Sequence, residues 1–223
     1  MAGVHIARPS KKKRYGSSAP AEILAAPNAL KRFAHYRNQA RPQDGQSYAG
    51  MVDSGGWAQD FTYLWFQRSW HYLAVVLDLK TRQVVGWRLG LRHTSELTHA
   101  ALTDALAKHS APTILHSDQG SEYLSYKHQL TCDKHEITLS CSTRASPWQN
   151  GFMERFFGSF KPELGKLTQY KDVAQLYEAI ALTVHYYNHD RIHTALNMSP
   201  AAYAASLTPA TLGLDRVSGK VVA

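Results

Sequence analysis

Three acidic residues stand out by where they fall in the chain. Asp60 lies inside a β-type run, Trp57-Ala58-Gln59-Asp60-Phe61-Thr62. Asp118 follows a second such run, Thr113 to Ser117, within the segment HSDQGSEY. Glu154 lies in the stretch Gly151-Phe152-Met153-Glu154-Arg155-Phe156, which reads as a helix start, and thirty-five residues separate it from Asp118. Carboxylates gathered without a cation raise one another's pKa, so three of them at one place make sense mainly as a cation site. Hard oxygen ligands suit Mg²⁺ or Mn²⁺. Two such ions about 3.5–4 Å apart can activate a nucleophilic oxygen, stabilise an anionic phosphorane-like transition state and neutralise a leaving oxygen. Those are the needs of phosphodiester chemistry. A lone strand-end Asp is more often a turn or cap residue, so only the combination carries weight.

The elements that must bring these groups together can be read from periodicity. Strands are predicted over about 57–66, 70–79 and 83–90, the second apolar on both alternating faces and so central to a sheet. Lys80-Thr81-Arg82 makes the second and third an antiparallel hairpin. Ser95 offers an N-cap to a helix whose Leu97, Ala101, Leu102, Ala105 and Leu106 share a face. The strand into Asp118 comes next, then a helix over about 122–134 and a short strand from Ile137 to Ser140. A polar loop, 141–148, leads to a helix from about Gln149 to Lys161, which Pro162 is expected to end or kink. A further helix over 173–188 has Asp172 as its cap, and a short one begins at Ser199-Pro200. The order βββαβαβ followed by helices gives an α/β protein with a mixed sheet covered on both faces. An unrelated doubly wound domain would fit the same elements.

Composition narrows the partners. The 223 residues suit one medium domain plus extensions. No apolar run reaches the ~18 residues of a membrane span and the opening residues lack a signal core, so a soluble, intracellular protein is expected. Cys132 and Cys141 are too few for a disulfide framework or zinc site and are expected as buried free thiols. The net charge of +8 is uneven: residues 1–50 carry nine Lys or Arg against two acids, whereas residues 51–223 carry sixteen against fifteen. A nearly neutral body thus bears a basic arm around Lys11-Lys12-Lys13-Arg14, suited to polyanions. The same run also fits a solvated tail, or resembles a nuclear address. The arm should be extended when free, apart from a short helical piece at 29–33.

Taken together, WAQDFT, HSDQGSEY and NGFMERF resemble the DDE centre of the retroviral-type integrase and transposase superfamily, most of all the OrfB-type transposases of the IS3 family of bacterial insertion sequences. The run Tyr187-Asn188-His189-Asp190-Arg191-Ile192-His193, with Ser199-Pro200 behind it, is similar to the one that closes such catalytic domains. The resemblance covers about residues 55–205. It implies a ribonuclease-H-like fold with a five-stranded mixed sheet flanked by helices: a basic arm over 1–54, the catalytic domain over 55–206 and a tail over 207–223. It implies Asp60, Asp118 and Glu154 as catalytic metal ligands, with Asp60 bridging two Mg²⁺ or Mn²⁺ ions. Lys161, two helical turns beyond Glu154 on the same face, resembles the Lys of the DDE-plus-Lys signature. With Asn150, Arg155 and the basic arm it completes the expected DNA-binding set, although a solvated Lys161 fits as well.

His116 resembles the His of an H-S-D pattern and is expected as a hydrogen-bonded neighbour of the site rather than a ligand. Arg191 and His193 are open to DNA contact or to a role tying the last helices down. Asp78 reads as a turn cap, and Asp104, Glu122 and Glu163 as solvated surface groups. Departures are Gly55-Gly56 before the first strand, where the family has a polar pair, and no helix-turn-helix ahead of the catalytic segment. That DNA-reading module is expected in a separate or frameshift-fused partner. The implied activity is metal-dependent cleavage and transfer of transposon 3′ ends, by an oligomer on DNA in a bacterial cytoplasm, at the nucleoid. The alternatives are a DNA-binding fragment or regulator lacking its end-recognition module, and a ribonuclease-H-like nuclease, which would need a fourth acidic ligand.

Overall fold

The computed structural model describes residue 52 and residues 55–118, 120–142 and 150–207. The basic arm with its 29–33 helix, the residues of the polar loop from 143, and the tail beyond 207 lie outside them. Three antiparallel strands open the fold: β1 (Trp57–Phe66), β2 (Ser69–Asp78) and β3 (Val84–Gly90). Helix α1 (Ser95–Leu106) then crosses to β4 (Ile114–Ser117), and α2 (Tyr126–Lys134) to β5 (Thr138–Cys141). Three helices follow: α3 (Gly151–Leu164), α4 (Val173–His189) and α5 (Pro200–Leu207). The sheet order is β3-β2-β1-β4-β5, with β4 parallel to both its neighbours. Helical crossovers make those parallel pairings possible.

The central strand carries the sheet's two-sidedness. Along β2, Leu73, Val75 and Leu77 join a core with Phe156, Phe160, Leu176, Ile180 and Tyr187 of α3 and α4. Ala74 and Val76 point the other way, onto Leu97, Ala101, Leu102 and Ala105 of α1. All five β2 side chains are essentially fully buried, as a strand covered on both faces requires. Helix α1 rides very close to β3. A Cβ at Gly86 would collide with the Ala101 carbonyl and lie 2.8 Å from the Ala105 side chain. The strand therefore needs a glycine there.

Several predicted boundaries shift for local reasons. The helix expected from 122 begins only at Tyr126, because residues 121–124 form a turn in which the Tyr123 N–H donates to Gly120 O. Helix α3 runs through Pro162 to Leu164. The proline leaves the Gly158 carbonyl without its helical donor, but Gly158 is exposed, so water can satisfy that carbonyl. At α4 the expected cap is present: the Gln175 N–H donates to Asp172 Oδ1 at 2.8 Å. Asp78 caps the β2–β3 turn by accepting from Lys80 N and Thr81 N at 2.8 and 2.7 Å. Cys132 and Cys141 are both free and buried.

Candidate active site

The parallel pairing of β1 with β4 decides where the first two carboxylates go. Trp57 sits opposite Leu115 and Ala58 opposite His116. Continuing that register by two residues carries Asp60 alongside Asp118, just past the end of β4. Glu154 enters from a third direction, on the first turn of α3, exposed while its neighbours Met153, Phe156 and Phe157 are buried. Asp60 feels all of them. Burial pushes its carboxyl up to about 8; the Asp118 charge adds to the rise, as do those of Glu122 and Glu154, against a lowering hydrogen bond from the Phe61 N–H at 2.8 Å. Among the described residues no three or more His, Cys, Asp or Glu side chains stand in ligating position for one ion. The acids share a field without forming a closed ligand shell. Hard carboxylate oxygens around a site that resists negative charge nevertheless make a donor set that fits Mg²⁺ or Mn²⁺.

The fourth member of this field corrects an expectation. Glu122 is not a solvated surface group: it is 9% exposed. Its Oε1 lies 2.9 Å from His93 Nε2, and Ser121 Oγ donates to its Oε2 at 3.4 Å. Burial would raise its carboxyl, but His93 and the other hydrogen bonds outweigh that and hold it low. Gly120 makes this packing possible, for a Cβ there would strike the Glu122 carboxylate and lie 2.8 Å from Asp118 Oδ1. The Gly120 N–H itself donates to Asp118 Oδ1 at 2.8 Å. Spacing missed Glu122 because it sits in a turn, where no periodicity marks the inward face. The only available signal was its position four residues after Asp118, past a glycine.

Asp104 is the second correction. It is buried, at 8% exposure, and held by Arg88 and Lys108, each with a nitrogen 2.9 Å from its carboxylate. Glu163 keeps an exposed position but pairs with Arg191 at 2.6 Å, and Arg191 also lies over the Tyr187 ring. The closing motif thus ties the last helices to the body. Asn188 does the same, exchanging two hydrogen bonds of 2.9 Å with the Val84 backbone.

The remaining expected residues divide. His116 is fully buried, with Nδ1 on Ser140 Oγ at 2.8 Å and Nε2 on Ser142 Oγ at 3.0 Å. Both ring nitrogens are engaged, which fits the hydrogen-bonded reading over a ligand. Lys161 and Arg155 are exposed on α3. Asn150 is buried just ahead of that helix, and its amide finds no hydrogen-bond partner among the described residues. Lys11, Lys12, Lys13 and Arg14 lie outside the described residues.

Two models of the integrase core domain match this chain, one over residues 54–147 and the other over 135–200. The chain belongs to the integrase core family. It is 35% identical over 165 residues to an uncharacterized 31 kDa protein of insertion element IS600 from Shigella sonnei, spanning 71% of this chain and 60% of that protein. It is 39% identical over 109 residues to the transposase InsF of insertion sequence IS3A from Escherichia coli K12, spanning 48% of this chain and 38% of that one. This integrase core chain therefore spans less than two thirds of the curated relatives it matches. Among solved structures it is similar in fold to a chain of a simian T-cell lymphotropic virus intasome complex (TM-score 0.63, 20% identity, 76% of this chain and 60% of that chain). It is likewise similar to the HTLV-2 integrase catalytic core domain in complex with magnesium (TM-score 0.58, 21% identity, 67% of this chain and 95% of that chain). The likeness to IS3-type transposases and the ribonuclease-H-like sheet expected from the motifs are both borne out. No helix among the described residues is long and apolar enough to cross a membrane.

Proposed function

We propose that this chain is the catalytic core of an insertion-sequence transposase, a DDE polynucleotidyl transferase that cuts DNA at the element's 3′ ends and joins them to a target. Asp60, Asp118 and Glu154 are its acidic triad and would hold two Mg²⁺ or Mn²⁺ ions. Such ions, when bound, supply the positive charge that activates an attacking oxygen and stabilises the phosphorane-like transition state. The observation that carries the reading is the parallel β1–β4 register, which brings Asp60 alongside Asp118, with Glu154 close enough for its charge to act on Asp60.

The chain's own residues prepare that chemistry. Asp60, protonated in large part at neutral pH, would lose its proton on holding a cation, and the Phe61 N–H orients its Oδ1. The Gly120 N–H holds Asp118 in the same way. His116, gripped by Ser140 and Ser142, fixes the end of β4 beneath Asp118. Lys161, Arg155 and Asn150 along α3, with Lys11, Lys12, Lys13 and Arg14 of the basic arm, contact the DNA backbone and make binding salt-dependent. Water attacks the phosphodiester at the element's end and releases a 3′-hydroxyl. That hydroxyl attacks a target-strand phosphorus, forming one P–O bond as another breaks, with no covalent bond to protein.

Residues 55–206 form the catalytic domain in this reading, behind a basic arm and ahead of a short tail. Paired DNA ends call for a homo-oligomer, and a helix-turn-helix subunit, separate or frameshift-fused, would recognise them. The reaction belongs to the bacterial cytoplasm, at the nucleoid. The test incubates the protein with Mn²⁺ or Mg²⁺ and oligonucleotides carrying the element's ends. Strand-transfer products that vanish in Glu154→Gln are expected. DNA binding without any cleavage would return the chain to a regulator, and degradation of RNA–DNA hybrids would make it a nuclease of the ribonuclease H type.

A further inference from the structure

A ladder of aromatic rings runs along the β1–β2 hairpin from its tip to the carboxylates. Antiparallel register sets Trp65 opposite Trp70 and Tyr63 opposite Tyr72. Ring centroids are 5.0 Å apart in the first pair and 5.5 Å in the second, with Tyr63–Trp70 at 6.0 Å joining the rungs. Phe61 continues the row at 5.4 Å from Tyr63 and meets His93, tilted, at 3.6 Å between ring centroids. His93 in turn reaches Glu122. At this end the Tyr63 hydroxyl is raised first by burial, and the charges of Glu122, Asp60 and Asp118 all act on it. Phe61 follows Asp60 along β1 but lies on the sheet's α1 side, and His93 joins the row to Glu122, so the ladder ends at the edge of the site.

These rings are not core. Phe61 and Tyr72 lean on the α1 side of the sheet, but Tyr63, Trp70 and Tyr72 keep partial exposure and Trp65 is 36% exposed. An arginine lies close in the chain to each end, Arg68 in the hairpin turn between Trp65 and Trp70 and Arg92 just before His93, both exposed. A half-exposed aromatic row bracketed by cations, continuous with a phosphodiester-cleaving centre, has the make-up of a surface that stacks bases while its charges hold phosphates. Duplex DNA hides its base faces except at an end. We infer that the ladder Trp65–Trp70–Tyr63–Tyr72 is a stacking platform for unpaired nucleotides flanking the phosphate that lies at Asp60 and Asp118. This inference rests on the proposed reading of the carboxylates as a site that acts on DNA.

The test compares a fluorescently labelled single-stranded oligonucleotide with its own duplex, by anisotropy, on the full chain without divalent metal. Wild type is expected to favour the single strand. Trp65→Ala and Trp70→Ala should each weaken single-strand binding by about tenfold, the usual scale for losing one base–aromatic stack. Duplex binding, carried by phosphate contacts, should change little, and Trp87→Phe, on β3, serves as control. Should Trp70→Ala fail to fold, Trp70→Leu is judged instead, together with bromodeoxyuridine cross-linking of the single strand to the ladder in wild type. Equal single-strand affinity in wild type and a folded Trp65→Ala, with no cross-link, would overturn the inference. So would a Trp65→Ala whose only change is loss of self-association, which would make the ladder a protein interface. Cleavage is scored separately in Mn²⁺. Active wild type with indifferent ladder variants sinks the platform alone. Inactive wild type that still loses single-strand binding in both variants sinks the transposase reading and leaves a strand-binding surface.

Discussion

Asp60 and Asp104 are acids drawn away from water in opposite ways. Asp104 is buried against Arg88 and Lys108, whose hydrogen bonds and charges outweigh desolvation and hold its carboxyl below the ordinary range. For Asp60, burial comes first and the charges of Asp118, Glu122 and Glu154 add to it, against the Phe61 N–H, so that its carboxyl rises to about 8. One acid is neutralised by the fold and ties α1 to β3. The other sits among acids whose charges raise it, a field that a bound cation would relieve. Burial of a carboxylate is therefore not itself a sign of function; the direction in which its surroundings shift it separates the two acids.

The contrast can be broken most severely in catalysis. Asp60→Asn and Glu154→Gln should each lower strand cleavage by at least about a thousandfold, whereas Asp104→Asn should leave the rate per folded molecule unchanged. Product formation on end-bearing oligonucleotides, normalised to folded protein, checks this. Stability should reverse the order. Asp104→Ala strands Arg88 and Lys108 and is expected to cost about 1–2 kcal/mol in denaturant unfolding, a figure already reduced for the exposure of both cations. Asp60→Asn should instead raise the melting temperature at pH 8 in metal-free buffer, the pattern of a site kept at the expense of stability.

The pH windows follow from the two directions of shift. A raised acid favours the folded state while protonated, so Asp60's contribution is complete below its ordinary 3.8 and is lost as pH rises towards about 8. A lowered acid favours the folded state while ionised, so Asp104's contribution is present above its ordinary 3.8 and disappears as pH falls below it. Metal-free melting curves should show the alkaline slope vanish in Asp60→Asn and the acid slope weaken in Asp104→Asn. The smallest effects should appear within the cluster. Asp118→Asn should lower the Asp60 titration midpoint, read by carboxyl carbon NMR, more than Glu122→Gln, and Glu122→Gln more than Glu154→Gln.

Much of this was legible before any coordinates. The two-sided apolar run of β2, the Asp172 cap and the Asp78 turn are local patterns, and local patterns survive folding. Asp60, Asp118 and Glu154 could be proposed because the segments around them, on a strand, at a strand end and at a helix start, resemble those of a known family. Asp104 and Glu122 were misread because their partners, Arg88 and His93, lie sixteen and twenty-nine residues earlier, so helical or turn position alone said surface. The aromatic ladder was invisible for a related reason: its rungs exist only once register pairs Tyr63 with Tyr72 and Trp65 with Trp70. Pairwise tertiary contact is what spacing does not encode.

The proposed cation site at Asp60 is tested most directly by titrating Mn²⁺ into the protein by calorimetry at neutral pH, in two buffers of different ionisation heat. Binding to wild type should release a sizeable fraction of a proton per ion, up to about one, since Asp60 is protonated beforehand in large part. Asp60→Asn should bind far more weakly and release none. Equal Mn²⁺ binding by both proteins, with no proton released by either, would contradict the assignment of Asp60 to the cation site.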